Sequence, residues 1–275
     1  MAKRWLITGV SSGIGKALMD AVIAHGDTVV GTVRKLPADG APLPDNARLA
    51  ILDVTDPASV ARGVAEAVDW MGGVDVLVNN AGSGMFGVVE TCSIDDFRKV
   101  LEVNYFGMIS VTQAILPHLR ESKGTLVNLG SISSFIALGG TAPYGSAKHA
   151  VLGLTESLHE ELKPLGVKVI AAMPGGFRSH FWNEGSNTIR EGLDDIYGKY
   201  PAGQIRARTQ EHAGNEMGDP AKLASVLIEL ASHDDPPLFL MLGGDALEYA
   251  SQKRDSLVAE LEAYQAVGRA TAFDS

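Results

Sequence analysis

Short apolar runs alternate with helix-length amphipathic segments along most of the chain. Trp5–Thr8 is apolar and stops at a glycine. Gly13 to His25 then carries Ile14, Leu18 and Val22 at the three-to-four-residue spacing of one helix face. Thr28–Val33 is rich in β-branched residues and reads as a second strand, Arg48–Asp53 as a third and Val74–Asn79 as a fourth, with a helix over Pro57–Met71. Asp95 to Glu121 reads as one long helix through Phe97, Val100, Leu101, Met108, Val111, Ile115 and Leu119. A fifth strand over Thr125–Leu129, a helix over Tyr144–Leu165 and a sixth strand over Val167–Met173 follow. Ala221–Ala231 is helical, and Leu238–Leu242 is a seventh strand. Near-continuous apolar strands alternating with helices predict a doubly wound, mostly parallel α/β sheet with helices on both faces, a three-layer αβα arrangement.

Three segments leave that rhythm. Leu36 to Asn46 holds Pro37, Pro42 and Pro44 and must be a loop. Gly175 to Asp219 is glycine-dotted and lacks strong periodicity, yet carries Phe177, Phe181, Trp182, Tyr197 and Tyr200. A stretch of that length without its own pattern is expected to be a lid over a site. Asp245 to Tyr264 has a helical apolar face at Leu247, Leu257, Val258 and Leu261 and is expected to pack on the body as a surface helix. No internal repeat or Pro/Ser-rich linker divides the chain, so residues 1–275 are expected to form one domain.

Composition narrows the function. A domain of 275 residues buries about three quarters of its unfolded surface and needs no staple. The lone Cys92 excludes an internal disulfide and suits a reducing compartment. The net charge of -10 argues against nucleic acid as a partner, and no run approaches the ~20 apolar residues of a spanning helix. Trp5–Ile7 breaks at once into Thr8-Gly9, so no signal-peptide core follows Lys3-Arg4, and a cytoplasmic location is the default expectation. His118, and His159 with Glu160-Glu161, lack a convergent partner, so no metal site is expected. The 31 glycines exceed the usual ~7% of a chain, which points to tight turns or close approach of a ligand.

The glycine-rich run Thr8-Gly9-Val10-Ser11-Ser12-Gly13-Ile14-Gly15 follows the first strand and opens the first helix. Glycines let the backbone approach a phosphate, and a helix N-terminus offers N–H donors and partial positive charge. Gly9, Ser11, Ser12, Gly13, Ile14 and Gly15 are therefore candidates for holding a dinucleotide. Tyr144 and Lys148, four apart at the start of a helix, lie on one face, where a phenol and an ammonium can converge on one substrate.

The T-G-x-x-x-G-I-G run, Asn79-Asn80-Ala81-Gly82, Asn104, Ser131 and Tyr144-Gly-Ser-Ala-Lys148, in this order, resemble the short-chain dehydrogenase/reductase family. The resemblance is strong over about the first 180 residues and loose beyond. It implies a seven-stranded Rossmann-type sheet and a nicotinamide cofactor. It assigns Tyr144 as acid/base, Lys148 as its partner, Ser131 as the hydroxyl on the substrate oxygen and Asn104 as holder of a relay water. It also implies that Asn80, Ala81 and Gly82 line the cofactor, that Asp53 and Val54 meet the adenine, and that Pro174, Gly175, Phe177 and Ser179 meet the nicotinamide side, Ser179 standing where threonine is usual. The second strand ends without an acid, and Arg34 stands where a 2′-phosphate would lie, which favours NADP over NAD. Phe135, Ile136, Leu138, Met85, Phe86 and Trp182 are expected to border an apolar ketone or secondary alcohol. The alternatives are a catalytically silent NADP-binding sensor and an epimerase of the related extended family. Relatives also imply a homodimer or homotetramer, paired through the helices over Asp95–Glu121 and Tyr144–Leu165.

Overall fold

The computed structural model describes residues 2–38, 42–179, 181 and 187–273. Seven parallel strands form the central sheet: β1 (Arg4–Ile7), β2 (Thr28–Val33), β3 (Ala47–Ile51), β4 (Val76–Asn79), β6 (Thr125–Leu129), β7 (Lys168–Pro174) and β9 (Phe239–Leu242). Their order is β3-β2-β1-β4-β6-β7-β9, so the direction of winding reverses between β1 and β4. Strand residues alternate between two cores. Trp5 and Ile7 face α1 (Gly13–His25) and α8 (Pro220–Leu230), with Leu18, Val22 and Leu227 packed against them. Leu6, Leu77 and Leu126 face the other layer, formed by α2 (Pro57–Met71), α4 (Gly107–Ser122) and α5 (Ala142–Leu162). Both faces are covered, which is why the strands read as nearly unbroken apolar runs. The fold is the doubly wound Rossmann-type αβα sandwich expected from the sequence.

Local chemistry sets the element ends. Asp56 caps α2 by accepting from the Ala58 N–H at 2.9 Å, with Pro57 in the first turn, where its missing N–H costs nothing. Gly26 and Gly72 end α1 and α2 in left-handed conformations at φ +88° and +70°.

The structure departs from the sequence pattern in three places. The long helix over 95–121 is divided: α3 (Ile94–Leu101), a π-helical turn at Glu102–Phe106, then α4. Asn104 causes the widening to be tolerated, since its Nδ2 donates to the Val100 carbonyl four residues back at 2.8 Å. The region over 175–219 is not structureless. It contains β8 (Asn187–Ile189), α6 (Asp194–Tyr197) and α7 (Ile205–His212), and β8 pairs in parallel with β5 (Gly84–Phe86) just after β4. Strands of three residues are too short to show a period. Third, α9 (Gly244–Arg269) packs on the body only through its first turns. Only Ala246 is buried, and every residue from Ser251 to Phe273 is exposed. An amphipathic pattern specifies a face to be covered, not the surface that covers it.

Candidate active site

The glycine-rich turn sits at the carboxyl end of β1, where the sheet reverses. Gly9 has φ +73°, and a Cβ there would lie 2.9 Å from the Ala81 Cα. A Cβ on Gly15 would lie 2.3 Å from Asn80 Nδ2, so the helix can begin this close to the sheet only with glycine. Thr8 and Asn80 fasten the two segments together. Thr8 Oγ1 accepts from the main-chain N–H groups of Asn80 and Ala81, both at 3.0 Å. Asn80 Nδ2 donates to the carbonyls of Thr8 and Gly9 at 2.8 and 2.9 Å. The Asn80 side chain is thus a staple of the turn, and Thr8 is its other half.

Ser12 occupies the N-cap of α1 but makes no capping bond, and the first turn has no acid. The N–H groups of the first turn are left for an anion. They open onto a cleft of about 370 Å³ lined by Ser11, Ser12, Gly13, Lys16, Arg178 and Ser179, among others. A Cβ on Gly13 would stand 3.4 Å from Ser179 Cβ, so the loop after β7 faces the loop after β1. Arg178, and Lys16 paired with Asp20 of the same cleft, bring cations here that the sequence pattern did not single out; their only signal was charge beside the two loops. A dinucleotide pyrophosphate fits this donor set. Asp245, in the first turn of α9, accepts from the Gly176 N–H at 2.7 Å and so holds the Pro174-Gly175-Gly176 loop. Sequence reasoning missed it, because its partner lies 69 residues away. Phe177 packs its ring on the core beside α8, and its main chain bridges to Gly218.

Arg34 is exposed just past β2 and stands near Asp53. The Asp53 carboxylate accepts from the Thr55 N–H and hydroxyl at 2.9 and 2.8 Å; these bonds, with help from Arg34, hold its pKa below the ordinary value. Val54 is buried against Gly107 at the start of α4.

Ser131 caps a short 3-10 turn just past β6. Its Oγ accepts from Ser133 N–H at 3.1 Å, while Ser134 Oγ accepts from Ser131 N–H at 3.2 Å. Ser134 is thereby engaged in holding the turn. Tyr144 lies in the first turn of α5 and Lys148 one turn on; both are buried. Lys148 Nζ donates to the Leu129 carbonyl at 2.8 Å and lies 5.8 Å from the Tyr144 ring centre. Burial pushes the Tyr144 phenol up to about 12, with the Ser131 hydroxyl beside it pulling the other way. Burial brings the Lys148 ammonium down to about 8. A dry pocket penalises both charges, so in the chain alone Lys148 does not bring the phenol down. Asn104, in the π-helical turn, also donates to the Ser83 carbonyl at 2.9 Å. Its Oδ1 is buried without a partner, 2.7 Å from where a Gly82 Cβ would be. An open acceptor there suits a bound water.

Two aromatic rings cover the phenol. Phe86 of β5 and Phe181 of the lid lie 5.3 and 5.6 Å from the Tyr144 ring, and 6.2 Å from each other. Met85 and Ile205 join the same cluster. Ile136 is buried, Phe135 is half-buried and Leu138 is exposed; Trp182 lies outside the described residues. The lid is anchored by Arg190, just past β8, paired with the buried Asp96 of α3 at 2.7 Å. Asn79 and Asn128, on β4 and β6, form a buried bridge to Thr112 and Thr155, bracing the strand ends that carry the site.

A phosphate-accepting turn at the switch point of a parallel sheet, with a half-buried Ser131 beside the buried Tyr144 and Lys148, defines a nicotinamide-dependent oxidoreductase. The chain belongs to the short-chain dehydrogenase family: the family model described as short chain dehydrogenase matches residues 3–189. An oxidoreductase of Botryotinia fuckeliana is 33% identical over 99% of this chain and 100% of its own. An NADPH-dependent 3-dehydrocapnine reductase of Ornithobacterium rhinotracheale is 33% identical over 70% of this chain and 72% of its own. A solved short-chain dehydrogenase from Streptomyces avermitilis superposes with a TM-score of 0.88 at 36% identity, covering 99% of this chain and 100% of that one. Among the described residues no helix is long and apolar enough to cross a membrane, and no group of His, Cys, Asp or Glu could hold a metal ion.

Proposed function

We propose that the protein is an NADP-dependent carbonyl reductase or secondary-alcohol dehydrogenase acting on an apolar ketone or alcohol. The observation that carries this reading is the phenol of Tyr144, set beside Ser131 under the rings of Phe86 and Phe181. The cofactor supplies or accepts the hydride at the substrate carbon. Ser131 holds the substrate oxygen by a hydrogen bond that strengthens as alkoxide charge develops. Tyr144, protonated at neutral pH, donates its proton to that oxygen in the reducing direction and takes it back in the oxidising one. Lys148 holds positive charge on the far side of the phenol and, with a water on Asn104, returns the proton to solvent. The first turn of α1, with Arg178 and Lys16 nearby, holds the pyrophosphate, and Arg34 the 2′-phosphate. The NADPH dependence in the name of the Ornithobacterium relative supports the choice of cofactor. The intact Ser131, Tyr144 and Lys148 set weighs against a silent sensor, and the lid of about forty residues leaves little room for an epimerase's larger substrate domain.

The test is NADPH oxidation against a panel of apolar ketones. Tyr144→Phe should cost about 10²–10⁴ in kcat, the worth of general acid catalysis, with NADPH affinity within twofold of wild type. Turnover retained by Tyr144→Phe would sink the assignment.

A further inference from the structure

The exposed half of α9 has no packing partner. From Ser251 to Arg269 it runs 19 residues, roughly 28 Å at 1.5 Å per residue, with no buried side chain. A helix with no tertiary contacts is marginal in water. Its apolar residues are not scattered. Leu257, Leu261 and Tyr264 follow at i, i+4 and i+7, with Ala250 on the same line and Leu247 and Val258 beside it. Leu261 and Tyr264 are 71% and 66% exposed. A stripe of this kind on a soluble chain marks a contact surface.

The charges beside the stripe say what covers it. Lys253 and Glu260 are seven residues apart, hence on one edge of the helix, with Leu257 between them. We propose that α9 pairs with α9 of a second copy of this chain, antiparallel, about a two-fold axis at Leu257. In that register each Lys253 lies beside Glu260 of the other copy. Ala250 stands opposite Tyr264, a small residue against a large one, and Leu257 meets Leu257. A parallel pair would set Lys253 level with Lys253, Glu260 with Glu260 and Tyr264 with Tyr264. It would also crowd both bodies at one end, whereas the antiparallel pair carries them at opposite ends. An isologous contact of this kind closes as a dimer. The surface is separate from the faces of α4 and α5, so it adds to any pairing made there and does not depend on the catalytic reading.

The test uses the full chain in a Cys92→Ser background. Leu257→Cys should be oxidised by copper-phenanthroline to a covalent dimer at micromolar protein. Glu248→Cys, on the opposite side of the helix, should stay monomeric on the same gel. Adding Lys253→Glu should cut the yield of the Leu257→Cys dimer several-fold, and Lys253→Glu with Glu260→Lys should restore it. A dimer yield from Leu257→Cys no higher than from Glu248→Cys would overturn the pairing. Failure of the charge swap to rescue, with the cross-link intact, would overturn the antiparallel register.

Discussion

At the mouth of β1 two side chains are bonded to the main chain of the facing loop; above Tyr144 side chains meet one another. Thr8 and Asn80 tie two loops together through four main-chain groups, and glycine is required where those loops touch. Over the phenol, two aromatic rings and the Arg190–Asp96 ion pair do the holding, with β8 pairing as only three residues. The difference follows from what each region meets. A dinucleotide phosphate is the same in every turnover and is best met by fixed N–H groups. A substrate must enter and leave, so its cover has to come away at the cost of a few side-chain contacts. The cofactor edge should therefore respond to mutation as a set of separate bonds, and the cover as one movable unit.

The largest change in cofactor preference is expected at the second strand's end. Arg34→Asp replaces charge-assisted bonds worth roughly 1.5–3 kcal/mol with repulsion of a 2′-phosphate. The NADP/NAD ratio of kcat/KM should fall by about 10–100-fold, while ketone KM stays put. An unchanged ratio would remove Arg34 from the cofactor edge.

Lys148 lies on the seam between the two regions, and there function opposes stability. Burial lowers its folded pKa to about 8 from an ordinary 10.5, so the folded chain binds fewer protons than the unfolded one between those values. Wild-type stability should rise as pH rises through that window, and Lys148 is destabilising below it. Lys148→Met removes ~3 kcal/mol of buried-charge cost but also the bond to the Leu129 carbonyl, worth about 1. The variant should be inactive and yet, by denaturant melts at pH 7, more stable by on the order of 1–2 kcal/mol. The gain should vanish above pH 10.5. A less stable variant at pH 7 would show that the ammonium is better solvated than its burial implies.

The cover is tested through its anchor. Arg190 beside Asp96, with the Ser93 N–H and hydroxyl helping, holds the Asp96 carboxyl well below the usual carboxylate range. A carboxylate depressed in the folded state stabilises it at pH values above its unfolded pKa, near 4, and loses that contribution as pH falls. Arg190→Gln should raise ketone KM about tenfold and leave the NADPH dissociation constant within twofold. Its melting temperature should lie below wild type at pH 7, with the gap closing below pH 4. A matching loss of NADPH affinity would show that cover and cofactor edge are one unit, not two.

The same contrast explains what could be read from the sequence. The seven strands were legible, and so were α1, α2 and α5, because both sheet faces demand apolar residues at fixed spacing. Tyr144 and Lys148 were legible from their four-residue spacing at a helix start and Ser131 through the family resemblance, and the structure brings the three together. The β5–β8 pair, Ile205 and the Arg190–Asp96 contact were not, since each joins residues some sixty to a hundred or more apart through short elements with no period. The π-helical turn was hidden because Asn104 bonds back within its own helix and leaves the apolar spacing intact. In α9 the apolar face was read correctly, but its packing was not, because a single sequence contains no second copy.

The smallest expected effect concerns a contact that links the cofactor edge to the start of α9. The Asp245 carboxylate accepts from the Gly176 N–H, and both its oxygens crowd the place where a Gly175 side chain would stand. It is exposed, so one hydrogen bond at a loop is all that Asp245→Ala removes, about 1 kcal/mol. If the loop after β7 is held bond by bond, NADPH should bind about fivefold more weakly, with ketone KM unchanged and the cross-link at position 257 of α9 unaffected. A change in ketone KM larger than the change in NADPH affinity would place this loop with the movable cover, and the boundary between the two regions would have to be drawn on the other side of β7.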